Sequence, residues 1–191
     1  MSRLDEIRAA ALELFTIHGY EATTMADIGQ AVGMRGPSLY KHVGSKQDLL
    51  AQIMVETMRT LLTMHRSAVS SAVDVTERLR RATEAHVRFH ARHRLEAFVG
   101  NREIRSLIEP NRSEVLALRV EYETCFRQLI EAGIDDGRFQ VASTQLASFA
   151  ILDLGMGVAA WYRPDGEVSE DALVWQYSDF ALRLVGATVQ R

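Results

Sequence analysis

Polar and cationic side chains crowd one stretch near the N-terminus: Thr24, Arg35, Ser38, Tyr40, Lys41, His42 and Lys46. An arginine can meet a guanine edge through two parallel hydrogen bonds, and hydroxyls can reach a base or a phosphate. From Gly33 to Asp48 the charges are Arg35, Lys41 and Lys46 against Asp48, so this stretch is locally basic. A second group is His86, His90 and His93, spaced i, i+4 and i+7 on one helix face. Imidazoles so placed can bind a metal or line a polar interior. Arg88, Arg92 and Arg94 interleave them, and the default for such a row is an ordinary, partly exposed helix face. No Glu-x-x-His motif exists for a di-iron bundle. No carboxylate pair, nucleophile–base spacing or phosphate loop is present, so no catalytic residue, metal or cofactor is assigned and no enzyme is expected. Cys125 is the single cysteine; it excludes an internal disulfide and reads as a small buried apolar residue.

The basic stretch needs short, well-stopped helices to hold it. Thr24 with Asp27 has capping-box spacing, and Met25, Ile28 and Val32 come after it at helical intervals, predicting a helix from Thr24 to about Val32. Gly33 can take positive φ and end it. Gly36-Pro37-Ser38 restarts the chain, because Pro37 pre-sets φ for a first turn, and a helix runs to Val43. Leu39 points inward while Ser38, Tyr40, Lys41 and His42 project elsewhere. Ser45 and Asp48 cap the next helix, which starts at Lys46. Helix, glycine turn, helix is the helix-turn-helix plan; a three-helix module that binds only protein is the competing reading. Thr24 and Ser45 are helix caps in either case, the Tyr40 ring could pack on the first helix, and Lys41 could be plain solvated surface.

Ser2 and Asp5 open a helix from Arg3 to Ile17, with an apolar stripe of Ile7, Ala10, Ala11, Leu14 and Phe15. The first three helices are too short to stand alone and must share one core, with Phe15, Ile28, Val32, Leu39 and Val43 as members. A long helix runs from Lys46 to about Ser70. Further helices are expected over Thr76–His93, Leu95–Ile108, Asn111–Gly133, Ser143–Trp161 and Ser169–Val185. Arg102, Glu103 and Arg105 read as helix-surface ion pairs. Gly155 and Gly157 are costly in a helix and suggest the close approach of another backbone at a subunit interface or pocket wall. The sum is an all-α chain of about nine helices.

At 191 residues with 47% hydrophobic content the chain can bury a substantial core. The net charge of −3 argues against general nucleic-acid affinity but leaves room for a local basic face. No run of ~18 apolar residues suggests a membrane span, and the N-terminus lacks a signal-peptide core. A soluble, cytoplasmic protein is expected.

The run TTMADIGQAVGMRGPSLYKHVGSKQDLL resembles the DNA-binding signature of TetR/AcrR-type transcriptional regulators. The matching features are Thr23-Thr24, Gly33, Ser38-Leu39-Tyr40-Lys41-His42 and Ser45-Lys46, while Val43 stands where the family usually has Phe. The resemblance implies residues 1–46 as the DNA-binding domain and 47–191 as a ligand-binding and dimerisation domain. It implies DNA contacts from Thr24, Arg35, Pro37, Ser38, Tyr40, Lys41, His42 and Lys46, with phosphates at Thr24 and Lys46. It also implies a homodimer formed through the last two helices, which would read a palindromic double-stranded operator. The WYRPDG segment is similar to a C-terminal subgroup, some of whose members respond to acyl-CoA thioesters. A repressor released by a small apolar or acyl-CoA-type effector is the expectation, with Phe89, Phe98, Arg102, Phe126, Met156 and Trp161 as ligand-binding candidates. The alternatives are a helical metal-binding protein or enzyme on the His86 face, and an adaptor without DNA affinity.

Overall fold

The computed structural model describes residues 2–187. Among them are nine α-helices and no strand: α1 (Arg3–His18), α2 (Met25–Ala31), α3 (Gly36–Leu39), α4 (Lys46–Ser70), α5 (Val75–Arg92), α6 (Arg94–Arg102), α7 (Asn111–Asp135), α8 (Thr144–Trp161) and α9 (Glu170–Leu184). The all-α expectation holds. The chain divides into two compact units, one formed by residues up to Met58 with Leu95–Leu118, the other by Arg59–Arg94 with Arg119 onward. Residue 46, the expected domain boundary, is the first residue of α4.

The caps that start the short helices are formed. Ser2 and Asp5 make a reciprocal capping box at α1, and Thr24 and Asp27 make one at α2. Hydrogen bonds from the cap residues hold the Asp5 and Asp27 carboxyls below the usual carboxylate range. Such caps contribute about 1 kcal/mol each. Gly19 at φ 83° closes α1, and Gly33 at φ 65° lies just past α2, a region where a side chain would clash with the backbone.

The first unit is built around Ile7, Phe15, Ile28, Leu39, Leu49 and Leu50, all fully buried. Residues from α1 to α4 thus close one core, joined by Val99, Leu107 and Val115. Each such side chain removed from water contributes about 1.5–3 kcal/mol, which is what lets helices of one or two turns persist. Of the expected core set, Val32 is only partly buried.

Two elements are shorter than expected. The α3 helix ends at Leu39, and the chain tightens through bonds from His42 N–H and Val43 N–H to the Leu39 carbonyl. The α6 helix ends at Arg102 and becomes a 3-10 turn over Glu103–Ser106. Glu103 is buried and its carboxylate accepts from the Tyr20 N–H at 3.4 Å and the Ser106 hydroxyl at 2.8 Å. That inward turn corrects the reading of Glu103 as a surface residue, while its expected pairing with Arg102 is present at 3.8 Å. Gln47 ties the same region: its amide donates to the Tyr20 hydroxyl and the Ser106 carbonyl, and its oxygen accepts from the Ile108 N–H.

In the second unit α5 packs against α8 and α9, with Val87, Ala91, Val158, Tyr162, Leu173 and Val174 in a shared core. Arg88 and Arg92 both bind Glu170 in the first turn of α9. Contrary to the expectation of no such segment, α8 is long and apolar enough to cross a membrane by length and composition. Its apolarity has two causes. One side packs on α5 and α9, and the other leaves Leu146, Phe149, Leu154 and Trp161 exposed.

Candidate functional site

The α2–turn–α3 segment is held from below so that its outer face is free. Met34 N–H donates to the Gly29 carbonyl at 2.7 Å, and a Cβ on Gly29 would sit 2.9 Å from the Met34 oxygen. Gly29 is therefore what lets the turn fold back on α2. The sequence reading missed it, although a glycine inside a helix is a signal of close approach. The Arg3 guanidinium donates to the Val32 carbonyl at 2.6 Å, fixing the end of α2 to α1. Leu39 and Val43 are buried and anchor α3 and the turn after it.

On that base Arg35, Pro37, Ser38, Tyr40, Lys41 and His42 are all exposed. Tyr40 is 56% exposed. Arg35 is the N-cap residue of α3 and is exposed. The two expected phosphate ligands at the flanks both make bonds within the chain. The Thr24 hydroxyl donates to Asp27 at 2.7 Å, and the Thr24 N–H donates to the same carboxylate at 2.8 Å. The Lys46 ammonium donates to the carbonyls of Tyr20, Glu21 and Thr23 at 2.7, 3.3 and 2.8 Å. An ammonium has three hydrogens, and all are directed at the α1–α2 loop. Lys46 thus ties that loop to the start of α4, where the sequence suggested a phosphate contact.

The histidine row also differs from its default reading. His86 and His90 are buried, at 2% and 4% exposure. His86 is held between the Tyr122 hydroxyl and the Leu152 carbonyl, each at 3.0 Å. It fits because residue 155 is glycine: a Cβ there would lie 2.1 Å from the His86 ring. Gly155 thus makes room for a side chain, not for a second backbone, while Gly157 faces open space. His93 stacks on Phe89 at 4.5 Å between ring centroids, and a fourth ring, His65 of α4, approaches Phe126 at 5.1 Å. His65 escaped the sequence reading because it continues the apolar stripe of Met58, Leu61 and Leu62. No group of three His, Cys, Asp or Glu among the described residues is arranged for a metal. Burial pushes His65 and His86 down to about 4 and His90 to about 2.

Of the ligand-binding candidates, Phe126 is fully buried beside His65, His86 and Tyr122, and Phe89 joins this group through His90. Met156 is half-buried on α8. Trp161 is half-exposed near Tyr162 and Tyr177. Phe98 and Arg102 belong to the first unit, where the guanidinium lies 5.5 Å from the Phe98 ring centroid.

Known proteins resemble this chain in sequence and fold. Residues 7–53 match the N-terminal domain of bacterial regulatory proteins of the tetR family, and residues 72–185 match a tetracyclin repressor-like C-terminal domain. The HTH-type transcriptional repressor KstR2 of Rhodococcus jostii is 30% identical over 183 residues, covering 94% of this chain and 89% of that protein. A tetR-family regulatory protein from Rhodococcus RHA1 superposes with a TM-score of 0.92 at 31% identity, over 99% of this chain and 100% of that one. The ketosteroid transcriptional regulator KstR2 of Mycobacterium tuberculosis does so with a TM-score of 0.88 at 25% identity, over 99% and 96%. With an exposed recognition face on a helix-turn-helix and both domain matches in sequence order, this chain belongs to the TetR family of DNA-binding transcriptional regulators.

Proposed function

We propose that the protein is a repressor that binds a palindromic operator as a homodimer and is released by a small apolar or acyl-CoA-type effector. The observation that carries this reading is the row Arg35, Ser38, Tyr40, Lys41 and His42, exposed on and around α3 while Leu39 and Val43 anchor it. Arg35 reads a base edge from the start of α3, and Ser38, Tyr40, Lys41 and His42 supply hydroxyl and cationic contacts to base or backbone. Thr24 and Lys46 act by holding α2 and the α1–α2 loop in place. The relative from Rhodococcus jostii is a repressor, which supports repression over activation.

Dimerisation through α8 and α9 is supported by their outer faces. Phe149, Leu154 and Trp161 on α8 and Trp175, Phe180 and Leu184 on α9 are large apolar side chains left exposed, as expected of helices that meet a partner. A two-fold dimer places two copies of α3 on the half-sites of a palindrome. Effector binding in the second unit displaces α4, the helix that Lys46 begins, and changes the separation of the recognition helices. The protein acts in the cytoplasm and catalyses nothing in this scheme.

Linkage tests the scheme. An effector that weakens operator binding must itself bind more weakly, by the same factor, when operator is present. Calorimetric titration of effector into free and operator-bound protein is expected to show that equality. Equal effector affinity in both states would remove ligand control and leave a constitutive DNA-binding protein.

A further inference from the structure

The second unit buries imidazoles that DNA recognition does not use. The rings of His86 and His90 are 4.5 Å apart, and His65 faces Phe126 and Tyr122 at 5.1 and 6.1 Å. The hydrogen bonds of His86 assign its tautomer. The Leu152 carbonyl can only accept, so Nε2 carries the proton and Nδ1 accepts from the Tyr122 hydroxyl. His65 and His90 are different. All four of their ring nitrogens are buried and none has a hydrogen-bond partner among the described residues.

Buried polar groups in folded proteins are hydrogen-bonded, and each orphan calls for an explanation, such as a functional role or a bound water, ion or ligand. Here the chemistry that would satisfy them is narrow. Burial keeps the three rings uncharged at physiological pH, so each of His65 and His90 offers one N–H donor and one nitrogen acceptor. Uncharged rings bring no cation to a carboxylate. The surroundings, Phe89, Tyr122 and Phe126, are aromatic and buried.

We propose that His65 and His90 form the polar end of the effector site and hydrogen-bond an uncharged oxygen, a carbonyl or hydroxyl, on an otherwise apolar ligand. The proposal rests on the ligand-responsive reading above and adds the recognising residues and the charge of the group they take. His65 lies on α4, so the contact acts directly on the helix invoked for release. His86, held by Tyr122 and Leu152, packs edge-on against the His90 ring.

The test uses the full-length protein and three ten-carbon probes: 2-decanone, 2-decanol and decanoate. Binding is measured by calorimetry for wild type and for H65L, H65M, H90L and H90M, with melting temperature recorded without probe. Two apolar shapes at each position keep one poor fit from deciding the stability result. The ketone and the alcohol are expected to bind wild type, with decanoate weaker by about tenfold or more. At each position at least one variant should melt no lower than wild type and bind the ketone about tenfold more weakly. The proposal is overturned if no probe binds, if decanoate binds as well as the ketone, if the variants bind like wild type, or if both variants at a position melt lower. Operator release is read separately by fluorescence anisotropy. A ketone that binds through His65 and His90 without releasing DNA supports this site and contradicts the regulatory reading.

Discussion

The Lys46 ammonium lies 2.7 Å from the Tyr20 carbonyl oxygen and 4.2 Å over the centroid of the Tyr20 ring. With the Glu21 and Thr23 carbonyls it closes a cage around one charge. The start of α4 therefore holds the loop from which α2 emerges, and α2 in turn holds α3. Replacing Lys46 with Met is expected to cost about 1–2 kcal/mol in thermal or denaturant unfolding and to weaken operator binding. The salt slope separates the two roles of Lys46. A lost phosphate contact would lower the slope of log K against log salt by about 1, whereas loss of the loop anchor lowers affinity with the slope unchanged. The unchanged slope is the expected outcome.

Arg35 and Tyr40 make the opposite case, because both are exposed and neither carries the core. Arg35→Ala is expected to weaken operator binding by about 1–3 kcal/mol and to relax preference at one base position. Tyr40→Ala should weaken binding as well. Both variants should unfold within about 0.5 kcal/mol of wild type. Operator titrations on base-substituted duplexes, beside denaturant melts, check this.

Gly155→Ala probes the packing of the imidazoles. The added methyl would stand 2.1 Å from His86 Cδ2 and 2.5 Å from its Nε2. The ring must move, and its bond to the Leu152 carbonyl goes with it. An overpacked core site of this kind is expected to lose about 1–3 kcal/mol in unfolding free energy. Gly157→Ala, facing open space, should be neutral or slightly stabilising in the monomer through helix propensity. The contrast between two glycines on the same helix is the readout.

Acid should destabilise the protein through the same rings. Burial lowers His65 and His86 from 6.5 to about 4 in the folded chain. Between those values the unfolded chain binds protons that the folded chain refuses, so stability falls as pH falls through this window. Each ring removes about 2 kcal/mol between neutral pH and pH 5. Unfolding free energies at pH 7 and pH 5 should differ by less in H65L than in wild type.

Much of this architecture was legible in the residues, and the exceptions share one cause. Capping boxes, stop glycines and apolar stripes are local, so Ser2, Thr24, Ser45, Ser143 and Ser169 marked five helix starts that the structure forms. Exposure of Arg35, Ser38 and Lys41 came with the burial of Leu39. Long-range partners were not legible. Nothing near Lys46 in sequence says that its ammonium faces residues 20–23, and nothing near Glu103 says that it meets the Tyr20 N–H. His86 and His90 read as a surface row because arginines flank them. Arg88 and Arg92 instead pair with Glu170, while the imidazoles of His86 and His90 face inward.

On the proposed function, the exposed face of α3 reads a specific operator. The direct measurement is selection of genomic fragments by the purified protein, then anisotropy titration of the recovered site over a range of salt. Wild type is expected to enrich a palindromic site, to bind it at least about a thousandfold more tightly than unrelated duplex, and to weaken steeply as salt rises. Arg35→Ala should lose most of that preference. Recovery of no site above bulk DNA, or an Arg35→Ala variant with unchanged preference, would contradict the account.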